Sequence, residues 1–378
     1  MSAISEIASL WMEGTMRTLD AFRTGFGTAM DDPPPATRSH VIYESGLVRL
    51  RHYEARGANK RRVPLLLIYS LIKRPFILDL QPGRSVVEYL VKQGFDVYLI
   101  DWIPPRADDK WRGFDAYVNT DIANAVRAIQ IYTGVEQISI LGYCFGALLG
   151  LLYSALHRDN VKTLVSLTIP LDTSVRQLPI EHLTAAMTAR SARTIVETYG
   201  NAPAWMIYSF FNTLAPTHHL LDKFVGAYRT SSARPGYIDT FRLFERWLHS
   251  DVPMAGQIFL ETGEMWRENS LMKGTMKVGD TVADLTRVAC PLLNVIGDRD
   301  DIVNPLSSEP LPELVSSDDK QNLHYPTGHM GAAISADSLK RLWPQIANWL
   351  SARDDWELKI AGFVAFATKE TGKIGFNG

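Results

Sequence analysis

Ile138-Ser139-Ile140-Leu141-Gly142-Tyr143-Cys144-Phe145-Gly146-Ala147 decides how the whole chain is read. Residues 138–141 form a short apolar run, the pattern of a strand buried on both faces. From Ala147 to His157 the pattern is helical. The pentapeptide between them, Gly142 to Gly146, is a strand-turn-helix junction with a nucleophile at its apex, here Cys where Ser is commoner. The turn is so tight that only small residues fit two positions either side of the nucleophile. That tightness lifts the Cys144 side chain out of the sheet. A helix starting there aims N–H groups and its positive dipole end at the sulfur, which favours thiolate over thiol. The Phe145 N–H is the expected first oxyanion donor. A buried structural cysteine is the plain competing reading.

Working outward, strands and helices alternate. Val41–Tyr43 and Leu47–Leu50 read as a hairpin, and Leu65–Tyr69, Phe95–Ile100 and Val161–Leu167 as further strands. Helices fall at 84–94 and 115–133. The alternation predicts an α/β fold with a mostly parallel sheet flanked by helices. It stops at about Pro170. From there to about Val288 the pattern is helical and rich in aromatics, so 170–288 reads as a cap, or lid, inserted in a core made of 37–169 and 289–353. Strands return at Pro291–Ile296 and Asn322–Tyr325, and a helix at Leu339–Leu350. Residues 1–36 read as an amphipathic helix and a Pro33-Pro34-Pro35 linker, the helix either packing on its own domain or docking elsewhere. Residues 354–378 are a partly apolar tail.

A nucleophile elbow needs an acid and then a His, each after a later strand. Asp300 follows the strand at 291–296, and His329 follows the strand at 322–325. Asp298 and Asp301 compete with Asp300; His218, His219 and His324 compete with His329. Glycines at 328 and 331 permit a loop conformation at His329. A second oxyanion donor is expected after the strand at 65–69, and the Ile72 amide is the candidate. The other cysteine, Cys290, reads as a small core residue.

Composition limits the rest. With 39 Lys and Arg against 41 Asp and Glu, the net charge of −2 argues against a nucleic-acid binder. Two cysteines make no disulfide scaffold. No signal peptide and no apolar run of about 18 residues is seen, so a cytoplasmic protein without a transmembrane segment is expected. No metal-ligand cluster or phosphate-cradling loop is evident.

Ile68 to Leu80, Asp101-Trp102, Gly142 to Gly146, Cys290 to Asn294 and Gly328 to Gly331 together resemble the polyhydroxyalkanoate (PHA) synthases, nearest the short PhaC catalytic subunits of classes III and IV. The resemblance runs from about Val41 to about Ala352. It implies an α/β-hydrolase core, a cap, and a triad of Cys144, Asp300 and His329. It implies an acyltransferase that polymerises (R)-3-hydroxyacyl-CoA, commonly 3-hydroxybutyryl-CoA, to polyester, releasing CoA through an acyl-Cys thioester. CoA enters as part of the substrate, and no other cofactor is implied. Implied partners are the growing polyester, further copies of the chain and a helical PhaE- or PhaR-like subunit, at the surface of PHA granules. The chain departs from the family pattern at Phe145, Ala147, Lys73 and Asp301, where Gln, Gly, Asn and His are frequent. Lys73 and Arg74 beside the oxyanion loop are candidates for a local basic patch for CoA. Two alternatives stand beside this reading: a Cys-dependent esterase or thioesterase of the same fold, and a non-catalytic granule-binding module.

Overall fold

The structure, a computed structural model, describes residues 32–57, 59–212 and 237–354. The expected N-terminal helix, His218, His219 and the tail beyond 354 lie outside the described residues. One eight-stranded sheet organises the chain: β1 (His40–Ser45), β2 (Val48–Tyr53), β3 (Leu65–Ile68), β4 (Val97–Trp102), β5 (Ile138–Tyr143), β6 (Val161–Leu167), β7 (Leu292–Gly297) and β8 (Lys320–Tyr325). The spatial order is β1-β2-β4-β3-β5-β6-β7-β8. Pairing is antiparallel at β1–β2 and β2–β4, and parallel across β4-β3-β5-β6-β7-β8.

The helices are α1 (Val86–Lys92), α2 (Ala123–Thr133), α3 (Phe145–Leu156), α4 (Pro179–Ala186), α5 (Ala189–Tyr199), α6 (Ala204–Asn212), α7 (Tyr237–Leu248), α8 (Gly256–Glu268), α9 (Pro305–Ser308), α10 (Leu311–Leu314), α11 (His329–Ile334) and α12 (Trp343–Ser351). Both faces of the sheet are covered, which is why its strands read as unbroken apolar runs. Successive side chains of β3 show the division. Leu66 and Ile68 join the layer containing Ile140, Leu148, Leu151 and Val126. Leu65 and Leu67 join the layer containing Val87, Leu90, Trp343 and Ile346.

The strands after β3 keep their predicted places within about two residues. Two details differ from the sequence pattern. Residues 116–122 and 338–342 are π-helical turns leading into α2 and α12. The region read as mainly helical also contains a short hairpin, Lys277–Val278 with Thr281–Val282. Gly279, at φ +60°, makes its two-residue turn with Asp280. That Gly-Asp pair is a turn signal which the surrounding helical pattern masked.

Parallel strands deliver their C-terminal ends to one edge of the sheet. Four loops meet there: those after β3, β5, β7 and β8. The helices α4 to α8 lie in sequence between β6 and β7 and bring further residues to the same edge.

Candidate active site

Cys144 caps α3 with φ +56° and ψ −122°. Only three described non-glycine residues have positive φ. Such a backbone costs on the order of 1–3 kcal/mol and persists where its surroundings enforce it. The neighbours do so here. The Cys144 N–H donates to the Leu167 carbonyl of β6 at 2.9 Å. A Cβ on Gly142 would sit 2.4 Å from the Ala147 Cα, and one on Gly146 would sit 2.0 Å from the Ile68 carbonyl oxygen. The G-x-C-x-G spacing is therefore a steric requirement of the turn. As the first residue of α3, Phe145 has an N–H with no carbonyl one turn back to accept it.

His329 is brought to the thiol by the loop after β8. Its Nδ1 lies 2.7 Å from Asp300 Oδ2, and both side chains are buried. Its ring faces the Cys144 side chain, and the two residues line one cavity. Burial alone would pull the imidazolium down. The charges of Asp300 and of an ionised Cys144 outweigh it and hold the His329 pKa well above its usual value. Asp300 is fixed in turn: its Oδ1 accepts the N–H groups of Ile302 at 2.9 Å and Val303 at 2.8 Å. The fourth support was not foreseen. The Tyr143 hydroxyl, buried in the sheet, donates to the His329 carbonyl. Tyr143 occupies one of the two unspecified positions of the pentapeptide, and nothing in the local pattern distinguishes it.

Of the competitors on described residues, Asp298 and His324 pair away from the site. Asp298 pairs with His324, Nδ1 to Oδ1 at 2.8 Å, and His324 also faces Glu309 at 3.2 Å, all three on the surface. Asp301 lies at the rim of the site cavity. Cys290 is half-buried against the core, and burial pushes its thiol up to about 12.

Cys144 and His329 line a cavity of about 400 Å³, walled also by Tyr69, Ile72, Trp247 and Met330. The Ile72 N–H lies 3.5 Å from Ser70 Oγ, at the outer limit of a hydrogen bond. Lys73 and Arg74, candidates for a CoA patch, are engaged within the protein. Lys73 Nζ is 2.7 Å from Asp251 Oδ2 and also donates to the Leu248 carbonyl. Arg74 Nη2 is 2.6 Å from Asp101 Oδ1. These charges hold loops together, a role that side-chain identity alone cannot reveal. Among the described residues no group of His, Cys, Asp and Glu side chains is placed to hold a metal ion. None of the described helices is long and apolar enough to cross a membrane.

A family model for the alpha/beta hydrolase fold matches residues 63–332. A second, for the N-terminus of poly-beta-hydroxybutyrate polymerase (PhaC), matches residues 16–90. The poly(3-hydroxyalkanoate) polymerase subunit PhaC of Haloarcula marismortui is 33% identical over 325 residues, covering 84% of this chain and 68% of that one. The PhaC subunit of Allochromatium vinosum is 32% identical over 324 residues, covering 85% and 90%.

The chain belongs to the PhaC family.

Among solved structures, a monoacylglycerol lipase from Paleococcus ferrophilus superposes with a TM-score of 0.54, covering 81% of this chain and 99% of that one at 14% identity. That likeness concerns the α/β-hydrolase fold alone. The family resemblance read from the elbow and its partner loops, and the fold expected with it, are thus borne out.

Proposed function

We propose that this PhaC-family chain is a polyhydroxyalkanoate synthase using Cys144 as nucleophile, His329 as acid and base, and Asp300 to orient and charge His329. The observation that carries the site assignment is the buried His329–Asp300 hydrogen bond beside Cys144, which lines the same cavity as His329. In the first half-reaction the thiol proton passes to His329. The thiolate attacks the thioester carbonyl of 3-hydroxyacyl-CoA. The Phe145 N–H, with the Ile72 N–H as second donor, holds the oxyanion. The carbon–sulfur bond to CoA breaks, and His329 returns its proton to the leaving thiolate. In the second, the hydroxyl of another 3-hydroxyacyl-CoA gives its proton to His329 and attacks the acyl-Cys carbonyl. An ester forms, Cys144 leaves as thiolate, and the lengthened chain, now on CoA, returns to Cys144. Thioester exchange is nearly isoenergetic, which suits Cys better than Ser here.

In this reading α4 to α8 form a cap that keeps water from the acyl-Cys. A helical partner subunit, self-association and residence at a granule surface go with the same reading. The test is purified protein with 3-hydroxybutyryl-CoA. Wild type releases CoA and forms polymer, and Cys144→Ala does neither. CoA release by Cys144→Ala would sink the nucleophile assignment. Free hydroxyacid in place of polymer would make the chain a thioesterase.

A further inference from the structure

Behind the nucleophile lies a second cavity, of about 120 Å³, that the proposed mechanism does not use. It shares Ile72 and Phe211 with the catalytic cavity, so the two adjoin. Phe145, next to Cys144, forms part of its wall, and Met206, Met254 and Phe259 make it strongly apolar. Thr184, whose hydroxyl already donates to the Ile180 and Glu181 carbonyls, interrupts that lining, and so do two further polar groups, Thr262 and Trp266. They stand four residues apart on α8, on one face of the helix. Thr262 Oγ1 and Trp266 Nε1 are both buried and have no hydrogen-bond partner. Thr262 is only 4% exposed. Buried donors without acceptors are rare, because each costs on the order of 1–3 kcal/mol.

The lining describes its ligand. An indole N–H donates and cannot accept. A hydroxyl beside it in an apolar wall is satisfied by donating as well. The ligand must therefore be apolar, carry acceptors at intervals and need no acceptor in return. A hydrocarbon chain offers no acceptor, and a peptide brings N–H groups that this wall would leave unpaired. An aliphatic polyester has ester carbonyls and no donors along its length.

We propose that this cavity is an oligoester subsite: it holds the ester-linked units behind the one on Cys144, with an ester carbonyl accepting from Trp266 Nε1–H and Thr262 Oγ1–H. The inference rests on the polymerase reading and assigns to it residues that favour chain elongation over the first acylation. A single 3-hydroxybutyryl unit has no ester carbonyl to offer these donors; the product of one elongation step has one.

The test compares two substrates, the CoA thioester of 3-hydroxybutyrate and that of its linear ester dimer. They are assayed with wild type, Trp266→Phe and Thr262→Val; each variant removes one donor, the second keeping side-chain shape and the first keeping an aromatic ring of smaller size. Wild type is expected to use the dimer with the higher kcat/KM. Each variant is expected to lose about tenfold on the dimer, mainly through KM, and to stay within twofold on the monomer. Equal losses on both substrates, or no loss on the dimer in either variant, overturn the subsite. CoA release from neither substrate by wild type would instead refute the polymerase reading, and this inference with it. Near-UV circular dichroism confirms folding; should Trp266→Phe fail to fold, Thr262→Val carries the comparison.

Discussion

At the scale of single residues, the site depends on charge placed in a buried line. His329 has its pKa raised against the cost of burial because Asp300 and Cys144 face it. Asp300→Asn removes one of those charges and leaves an amide of similar size. The sign follows directly. With less negative charge beside it, the imidazolium is less stable, so its pKa falls. In the proposed mechanism the leaving CoA thiolate takes its proton from that imidazolium, so the alkaline limb of the pH profile reports its loss. Asp300→Asn is expected to lower kcat/KM by about 10²–10⁴-fold and to move the alkaline limb to lower pH. A profile of kcat/KM against pH checks both, and an unmoved limb would contradict the role given to Asp300. That Cys144, Asp300 and His329 come together was legible because each follows a strand in the order a nucleophile elbow requires. Tyr143 was not legible: its contact with the His329 carbonyl joins residues 186 apart in sequence.

At the scale of elements, hydrophobic runs revealed the strands and spacing revealed the helices. The sheet was readable because β3, β5, β6 and β7 are buried on both faces, and such strands admit few polar residues. The elbow was readable because its glycines are imposed by contact with Ile68 and Ala147. What stayed hidden depends on fine backbone geometry. The π-helical turns at 116–122 and 338–342 have the same apolar spacing as an α-helix over so short a run. The 277–282 hairpin is two residues per strand, too short for alternation to register. The Ile72 amide is in the right loop and beside the right cavity, yet the direction of a backbone N–H has no sequence signature.

At the scale of the whole molecule, the helices between β6 and β7 must be fastened to the sheet edge they cover. One fastening is ionic. Lys73, in the loop after β3, and Asp251, in the segment after α7, are paired with side chains 10% and 4% exposed. Burial lowers the Lys73 pKa and pushes Asp251 up to about 6, so neither charge is comfortable without the other. The Trp247 indole adds a second tie, donating to the Arg74 carbonyl at 2.9 Å. Asp251→Ala leaves the Lys73 ammonium buried without a counter-charge and is expected to destabilise by about 3–5 kcal/mol. Joining Lys73→Met to Asp251→Leu is expected to recover most of that loss, because apolar pairs of similar volume replace buried ion pairs at little cost. Urea unfolding of the three chains measures it, and an Asp251→Ala chain as stable as wild type would show that the pair fastens nothing.

The central proposal is that the growing chain is held covalently on Cys144. Intact mass spectrometry after brief exposure to 3-hydroxybutyryl-CoA, followed by peptide mapping, tests it most directly. Adducts that increase by whole hydroxybutyryl units, confined to the peptide holding Cys144 and absent from Cys144→Ala, are the expected result. Turnover with no adduct on that peptide, or adducts that persist in Cys144→Ala, would contradict it.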